Sequence, residues 1–317
     1  MKTFVILMTL STALAQNWKP DVINARFESH AFSGDLALQI RGTGPAWFGY
    51  GVKTAPNEHD FNCDGHTSNP VHLEGSTATA VLFRVANNAI EKVKIHSLEC
   101  QLDAGGLPFI WISDVPAAAS LAYLEKQAPA FDGAIAAIAQ HDDPQADAVL
   151  DRLARSPQTD KVREKAIFWL GASRGAHGVT TLRDLLARDP SEKIRDKAVF
   201  ALSVSKQPEA LGFLIETAKH DASAHVRGQA IFWLAQKAGK QAVSAISSAI
   251  ENDPETSVKK KAVFALSQLP KDDGIPKLIE VAKNQKNPEV RKQAIFWLGQ
   301  SGDPRALAFI EQVLAKN

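Results

Sequence analysis

Cysteine is nearly absent: Cys63 and Cys100 are the only two in 317 residues. So few cysteines exclude a disulfide-dense scaffold and a multi-cysteine zinc module. Beyond the first fifteen residues no apolar run is long enough to span a bilayer as a helix. Low-complexity tracts are missing too. With 45% hydrophobic and 22% charged residues, the chain is not of the disordered class. The nucleophile elbow, the phosphate-binding loop and paired metal motifs do not occur, so no enzyme class built on them is indicated.

What is present begins with Met1-Lys2, an apolar run over residues 4–10 and the small-x-small triplet Ala13-Leu14-Ala15. That order predicts a signal peptide over residues 1–15 and a mature start at Gln16. No cysteine follows the triplet, which argues against a lipid anchor. Export to a secreted or periplasmic location would make Cys63 and Cys100 one disulfide.

Net charge is only +1, but it is unevenly spread. Residues 160–317 hold 25 Lys and Arg against 18 Asp and Glu, a balance of +7. Residues 16–159 hold 10 against 17, a balance of −7. Two units with different surfaces are expected, the second suited to an acidic partner or to the first unit itself.

The strongest signal is internal repetition. Val162-Arg163-Glu164-Lys165-Ala166-Ile167-Phe168-Trp169-Leu170 recurs without a gap at 194, 226, 258 and 290, a period of 32 residues. Each unit reads as two amphipathic helices with a break between them, closed by turns such as Asp189-Pro190 and Asp253-Pro254. A unit this small cannot bury its own apolar face, so neighbours must stack. Upstream, residues 131–138 align at the same spacing and predict a degenerate capping repeat.

The motif Val162-Arg163…Ala166…Leu170-Gly171, repeated as Val290-Arg291…Ala294…Leu298-Gly299, with the turn Gly302-Asp303-Pro304, resembles the HEAT-repeat family in its bacterial phycobilisome-lyase-like form. The resemblance covers roughly the C-terminal 60% of the chain. The wording Ala294-Ile295-Phe296-Trp297-Leu298-Gly299-Gln300 is also similar to a narrower group of exported bacterial repeat proteins. It implies an α-α superhelix, a HEAT/armadillo-type α-solenoid, and says little of activity. Two enzymes of the family would need features that conflict with this sequence: deoxyhypusine hydroxylase holds iron on His-Glu pairs, and no His-Glu dipeptide occurs here; bilin lyases act in the cytoplasm, against the signal peptide.

Position eight of the segment alternates Trp169, Ala201, Trp233, Ala265, Trp297, so the true period is 64 residues. At about 100° per residue the tryptophans fall within ~20° of the Val line and are expected in the core. Phe168, Phe200, Phe232, Phe264 and Phe296 fall about 120° from it. They either pack across the joints or form a partner-binding ridge, and both readings stand at this point. Arg163, Arg195, Arg227, Lys259 and Arg291 form a column that, by the family resemblance, bonds loop groups of the adjacent repeat. Lys161, Lys165, Lys197, Lys260, Lys261 and Lys292 give a basic edge; export argues against nucleic acid as its partner.

Residues 16–113 alternate apolar and polar in short runs at 25–32, 36–40, 78–85, 90–95 and 109–112, separated by turn clusters. They predict a small antiparallel β domain. Residues 114–128 read as a connecting helix capped by Asp114, and residues 129–317 as the solenoid. Residues 59–66 bring His59, Cys63 and His66 together, which could hold zinc or activate a thiol. Cys63 is already the natural partner of Cys100, so no metal, cofactor or catalytic residue is assigned. The expectation is an exported, non-catalytic protein-interaction scaffold with a protein partner; the alternative is a metal- or ligand-binding β domain carried on a solenoid spacer.

Overall fold

The computed structural model describes residues 18–54, 77–155 and 157–315. It separates into two compact units, divided between Asp143 and Pro144. The signal segment and residues 59–66 lie outside the described residues.

The first unit runs β1 (Val22–Ile23), β2 (Phe27–Ala31), α1 (Leu36–Gln39), β3 (Ala46–Lys53), β4 (Ala78–Ala86), β5 (Ala89–Ser97), β6 (Leu102–Asp103), β7 (Phe109–Ser113), α2 (Ala117–Gln127) and α3 (Asp132–Gln140). Its main sheet has the order β2-β7-β3-β4-β5. Pairing is antiparallel across β3–β4–β5 and parallel where β7 joins β2 and β3, so the sheet is mixed rather than wholly antiparallel. The β4–β5 hairpin turns on Asn87 and Asn88, both at positive φ, as a two-residue turn requires.

Alternation along the strands sorts the two faces. Ala80, Leu82, Phe109 and Trp111 form one buried cluster, joined by Cys100 and Leu102. Gly49 leaves room there, since a Cβ would stand 2.7 Å from Leu82 and 3.2 Å from Trp111. Tyr50, Phe83 and Val81 point the other way; Phe83 meets Tyr123 of α2 at 5.5 Å. The helix α3, expected within the solenoid, instead packs on β5 in this unit. Close approach explains it: a Cβ on Gly133 would stand 2.2 Å from the Val93 carbonyl oxygen.

Two local expectations change. Residues 36–39 form a helical turn closed by Ile40, not a strand: Asp35 accepts from the Ala37 amide at 2.7 Å and caps the turn. Leu36 and Ile40 are buried while Leu38 is 57% exposed, a spacing of four rather than two. Asp114 does not cap α2; it sits at φ 59°, and the helix starts after Pro116.

The second unit contains α4 (Gln145–Ala154), then five pairs: α5 (Asp160–Ser173) with α6 (Gly175–Arg188), α7 (Glu192–Val204) with α8 (Glu209–His220), α9 (Ala224–Ala238) with α10 (Val243–Asn252), α11 (Thr256–Ser267) with α12 (Lys271–Asn284), and α13 (Pro288–Gln300) with α14 (Pro304–Leu314). Thr159, Ser191 and Ser223 cap the first helices of the first three pairs through their hydroxyls. Val162, Ala166, Ile167 and Leu170 and their equivalents in the next three repeats are at most 2% exposed. Along α5 the buried arc runs from Val162 through Ala166, Leu170 and Arg163 to Ile167 and Gly171, roughly 0° to 180° from the Val line. Neighbouring first helices touch at the end of that arc, where a Cβ on Gly171 would stand 2.2 Å from the Ala201 carbonyl oxygen.

The arginine column ties each pair to the next. Arg195 grips Asp221 through two bonds of 2.9 and 3.1 Å and donates to the Asp189 carbonyl. Arg227 grips Asp253 at 2.7 and 3.0 Å and donates to the Asp221 carbonyl. Arg163 pairs with Asp189 through one nitrogen and donates from Nε to the Ala154 carbonyl at 3.0 Å. Each aspartate also accepts from the amide two residues on, at Ser191, Ser223 and Glu255. At the fourth joint the pair is Lys259 and Gln285, and Lys259 donates to the Glu251 carbonyl instead.

Candidate functional site

The five phenylalanines lie on one face of the first helices, and the tryptophans lie with them. Phe168 meets Trp169 edge-on at 5.3 Å and stacks on Phe200 at 6.2 Å. Phe200 meets Trp233 at 5.0 Å, and Trp233 meets Phe232 at 4.9 Å. Phe232 stacks on Phe264 at 6.3 Å with rings 2° from parallel. Phe264 meets Trp297 at 5.0 Å, and Trp297 meets Phe296 at 5.0 Å. Eight rings thus form one unbroken ladder across all five repeats.

The tryptophans are half-buried rather than in the core. The buried arc is centred some 80–90° from the Val line, which leaves position eight at its edge. Phe168, Phe200, Phe232 and Phe264 are half-buried, and Phe296 is 52% exposed. The phenylalanines pack across the joints, as the first of the two readings has it, and leave an outer rim partly exposed.

The 64-residue period has a physical cause here. Joints one and three are filled by Phe on Phe. Joints two and four are filled by Phe against the next repeat's Trp. Ala201 and Ala265 are fully buried beside the phenylalanines that meet those indoles.

One turn before the rings, the column Lys165, Lys197, Gln229, Lys261 and Gln293 falls between the Trp and Phe lines. Lys193 is tied to Glu164 at 2.6 Å, and His225 lies 3.5 Å from Asp196. Lys197, Lys260 and Lys292 have no ion pair among the described residues. The face is apolar in its middle and basic along one edge.

One constellation was missed by sequence reasoning. Ser120 Oγ lies 2.9 Å from His141 Nε2 and 2.9 Å from the Tyr50 hydroxyl. His141 Nδ1 faces the Ala137 carbonyl at 2.8 Å. Ser120, His141 and Tyr50 are at most 1% exposed, so this serine–histidine pair has no route to a substrate. It is a satisfied buried network that fastens α2 and the end of α3 to β3. Nothing in the spacing of residues 50, 120 and 141 signals it.

Among the described residues, no group of three or more His, Cys, Asp and Glu converges as a metal site. Among them, too, no helix is long and apolar enough to cross a membrane. Cys100 is buried in the cluster beside Leu102; Cys63 lies outside the described residues, as do His59 and His66.

Stacked helix pairs with an Arg–Asp tie at successive joints define an α-solenoid. The chain belongs to the HEAT repeats family, which matches residues 146–235, 211–295 and 243–317, together more than half of it. No curated protein sequence matches it. Among solved structures it is similar to YibA of E. coli, at 24% identity and TM-score 0.37, covering 55% of this chain and 64% of that one. The chain therefore spans slightly less than two thirds of YibA. It is similar to the CpcE–CpcF complex of phycocyanin lyase from Nostoc at 22% identity and TM-score 0.37, covering 49% and 99%. Human deoxyhypusine hydroxylase matches at 19% identity and TM-score 0.28, covering 63% and 74%. These likenesses are weak, and the family assignment rests on the repeats themselves.

Proposed function

We propose that this is an exported, non-catalytic scaffold that binds an acidic protein segment along the Phe–Trp ladder. The observation that carries the reading is the ladder: eight contiguous rings on one face, mostly half-buried, beside lysines without ion pairs. Apolar area supplies affinity, and the basic edge steers an acidic partner. The +7 balance of residues 160–317 supports the same sign. Export rests on the sequence of residues 1–15 and brings with it a Cys63–Cys100 disulfide.

The ladder also holds the repeats together, so the test must keep its volume. Phe200, Phe232 and Phe264 are each changed to Leu, and Lys197 and Lys261 to Glu in a second variant. Capture of a partner from the envelope fraction is compared with the parent protein, with the fold checked by circular dichroism. Loss of the same partner in both variants supports the reading. Retention in both removes the ladder as the binding face.

A further inference from the structure

The 64-residue period allows the solenoid to be compared with itself. At the α7–α9 joint, Lys237 lies one turn beyond Trp233 and donates to the carbonyls of Ser203 (3.0 Å) and Ser205. Its ammonium sits on the C-terminal end of α7, where the helix dipole favours a cation. Among the described residues no carboxylate pairs with it; the carbonyls hold it.

Sixty-four residues on, the same joint recurs between α11 and α13. Trp297 stands for Trp233, Ser267 for Ser203 and Leu269 for Ser205, but Ser301 stands for Lys237. The lysine is gone, and a cavity of about 260 Å³ is present, lined by Ser267, Leu269, Lys271, Trp297, Gln300 and Ser301 among others. Among the described residues, the Ser267 and Leu269 carbonyls accept no hydrogen bond. Trp297 lines the cavity, and its indole Nε1 is buried without a hydrogen-bond partner. A buried donor without a partner is costly, and so it marks a place where an acceptor belongs.

We propose that this cavity is a binding site for a protonated primary amine on a slim methylene chain, such as a protein lysine side chain. The ammonium would take the position that Lys237 holds at the equivalent joint, on the Ser267 and Leu269 carbonyls. The Trp297 ring would wall the cation. Its Nε1 would donate to an acceptor carried by the same ligand, for which a lysine residue offers its backbone carbonyl. The volume lies just below that of drug-sized pockets and suits one side chain. Lys271 is the charged residue that lines the cavity, while the carboxylate of Asp303 is taken up by Arg305 at 2.8 and 2.9 Å. The site rests on the internal comparison and stands or falls separately from binding along the ladder.

The test uses the full chain with ¹⁵N-labelled indoles, the Trp297 resonance being assigned with Trp297→Phe. Nα-acetyl-lysine amide and n-butylamine are titrated, with the ε-acetylated lysine derivative as control. A saturable shift of the Trp297 signal with either amine, and none with the acetylated control, is expected. Response to butylamine alone identifies a free amine as the ligand; response to both admits a protein lysine. Ser301→Lys should place an ammonium in the cavity, raise the melting temperature and weaken amine binding by about tenfold or more. Lys237→Ala should make the Trp233 signal respond to amines as Trp297 does. An unresponsive Trp297 signal, or a Ser301→Lys variant with unchanged melting and unchanged amine response, overturns the proposal.

Discussion

Phe232→Ala should destabilise the solenoid more than Phe296→Ala, although both residues occupy the same position of the repeat. Phe232 is half-buried and contacts two rings, Trp233 at 4.9 Å and Phe264 at 6.3 Å. Each aromatic pair adds about 0.5–1.5 kcal/mol beyond the area it buries. A fully buried Phe→Ala change costs about 3–5 kcal/mol, so a half-buried ring with two partners should cost about 2–3 kcal/mol. Phe296 is 52% exposed and contacts Trp297 alone. Its loss should cost about 1 kcal/mol. Chemical denaturation of the two variants, read by far-ultraviolet circular dichroism, compares them directly. The same reasoning brings Trp169→Ala and Phe168→Ala close together, since both rings are half-buried. Equal losses at 232 and 296 would show that ring contacts across the joints contribute little, and the ladder would then be a coincidence of the repeat.

The other predictions concern the joints and the first unit. Asp253→Ala should cost about 3–5 kcal/mol, because it strands the Arg227 guanidinium in a site where that side chain is 8% exposed. Lys259→Arg combined with Gln285→Asp should stabilise the fourth joint by copying the pair found at the others; denaturation midpoints check both, and a neutral Asp253→Ala would refute the tie. Burial pushes Tyr123 up to about 12 and Tyr50 up as well. The unfolded chain ionises near pH 10, so their contribution is intact below about pH 10 and is lost as pH rises above it. Ultraviolet titration should show tyrosinate only as the fold is lost, whereas reversible ionisation near pH 10 in the folded protein would contradict the burial.

Repetition made the solenoid legible. Five copies of one segment fix helix, break and stack together, since every copy must satisfy the same contacts. The hairpin at Asn87–Asn88 was legible for a local reason, a turn that demands positive φ. Residues 36–40 were not: Leu36, Leu38 and Ile40 satisfy a strand's period as well as Leu36 and Ile40 satisfy a helix's. Only the packing that exposes Leu38 decides between them. The tryptophans failed for a related reason. The Val line is not the centre of the buried arc, because each first helix has neighbours on both sides and behind it. Its arc therefore widens toward Ile167 and Gly171 and swings away from position eight. The buried Ser120–His141–Tyr50 network lay beyond any reading of the chain, because its members come from three separate segments and share no spacing.

A half-buried ring is a compromise between two demands, and the alternation of Trp with Ala shows how the chain meets both. If position eight were Trp in every repeat, an indole would have to fit at joints one and three, where Phe168–Phe200 and Phe232–Phe264 already stack. With alanine there, those pairs close directly; with Trp in the next repeat, the following joint is filled from the other side. The rings are thereby fixed at 4.9–6.3 Å from one another before any partner arrives. A surface held in this way loses little side-chain freedom on binding, and immobilising a free side chain would otherwise cost about 0.5–1.5 kcal/mol each. The proposed binding role therefore asks nothing new of the phenylalanines: the contacts that join the repeats would also pre-organise the exposed rim.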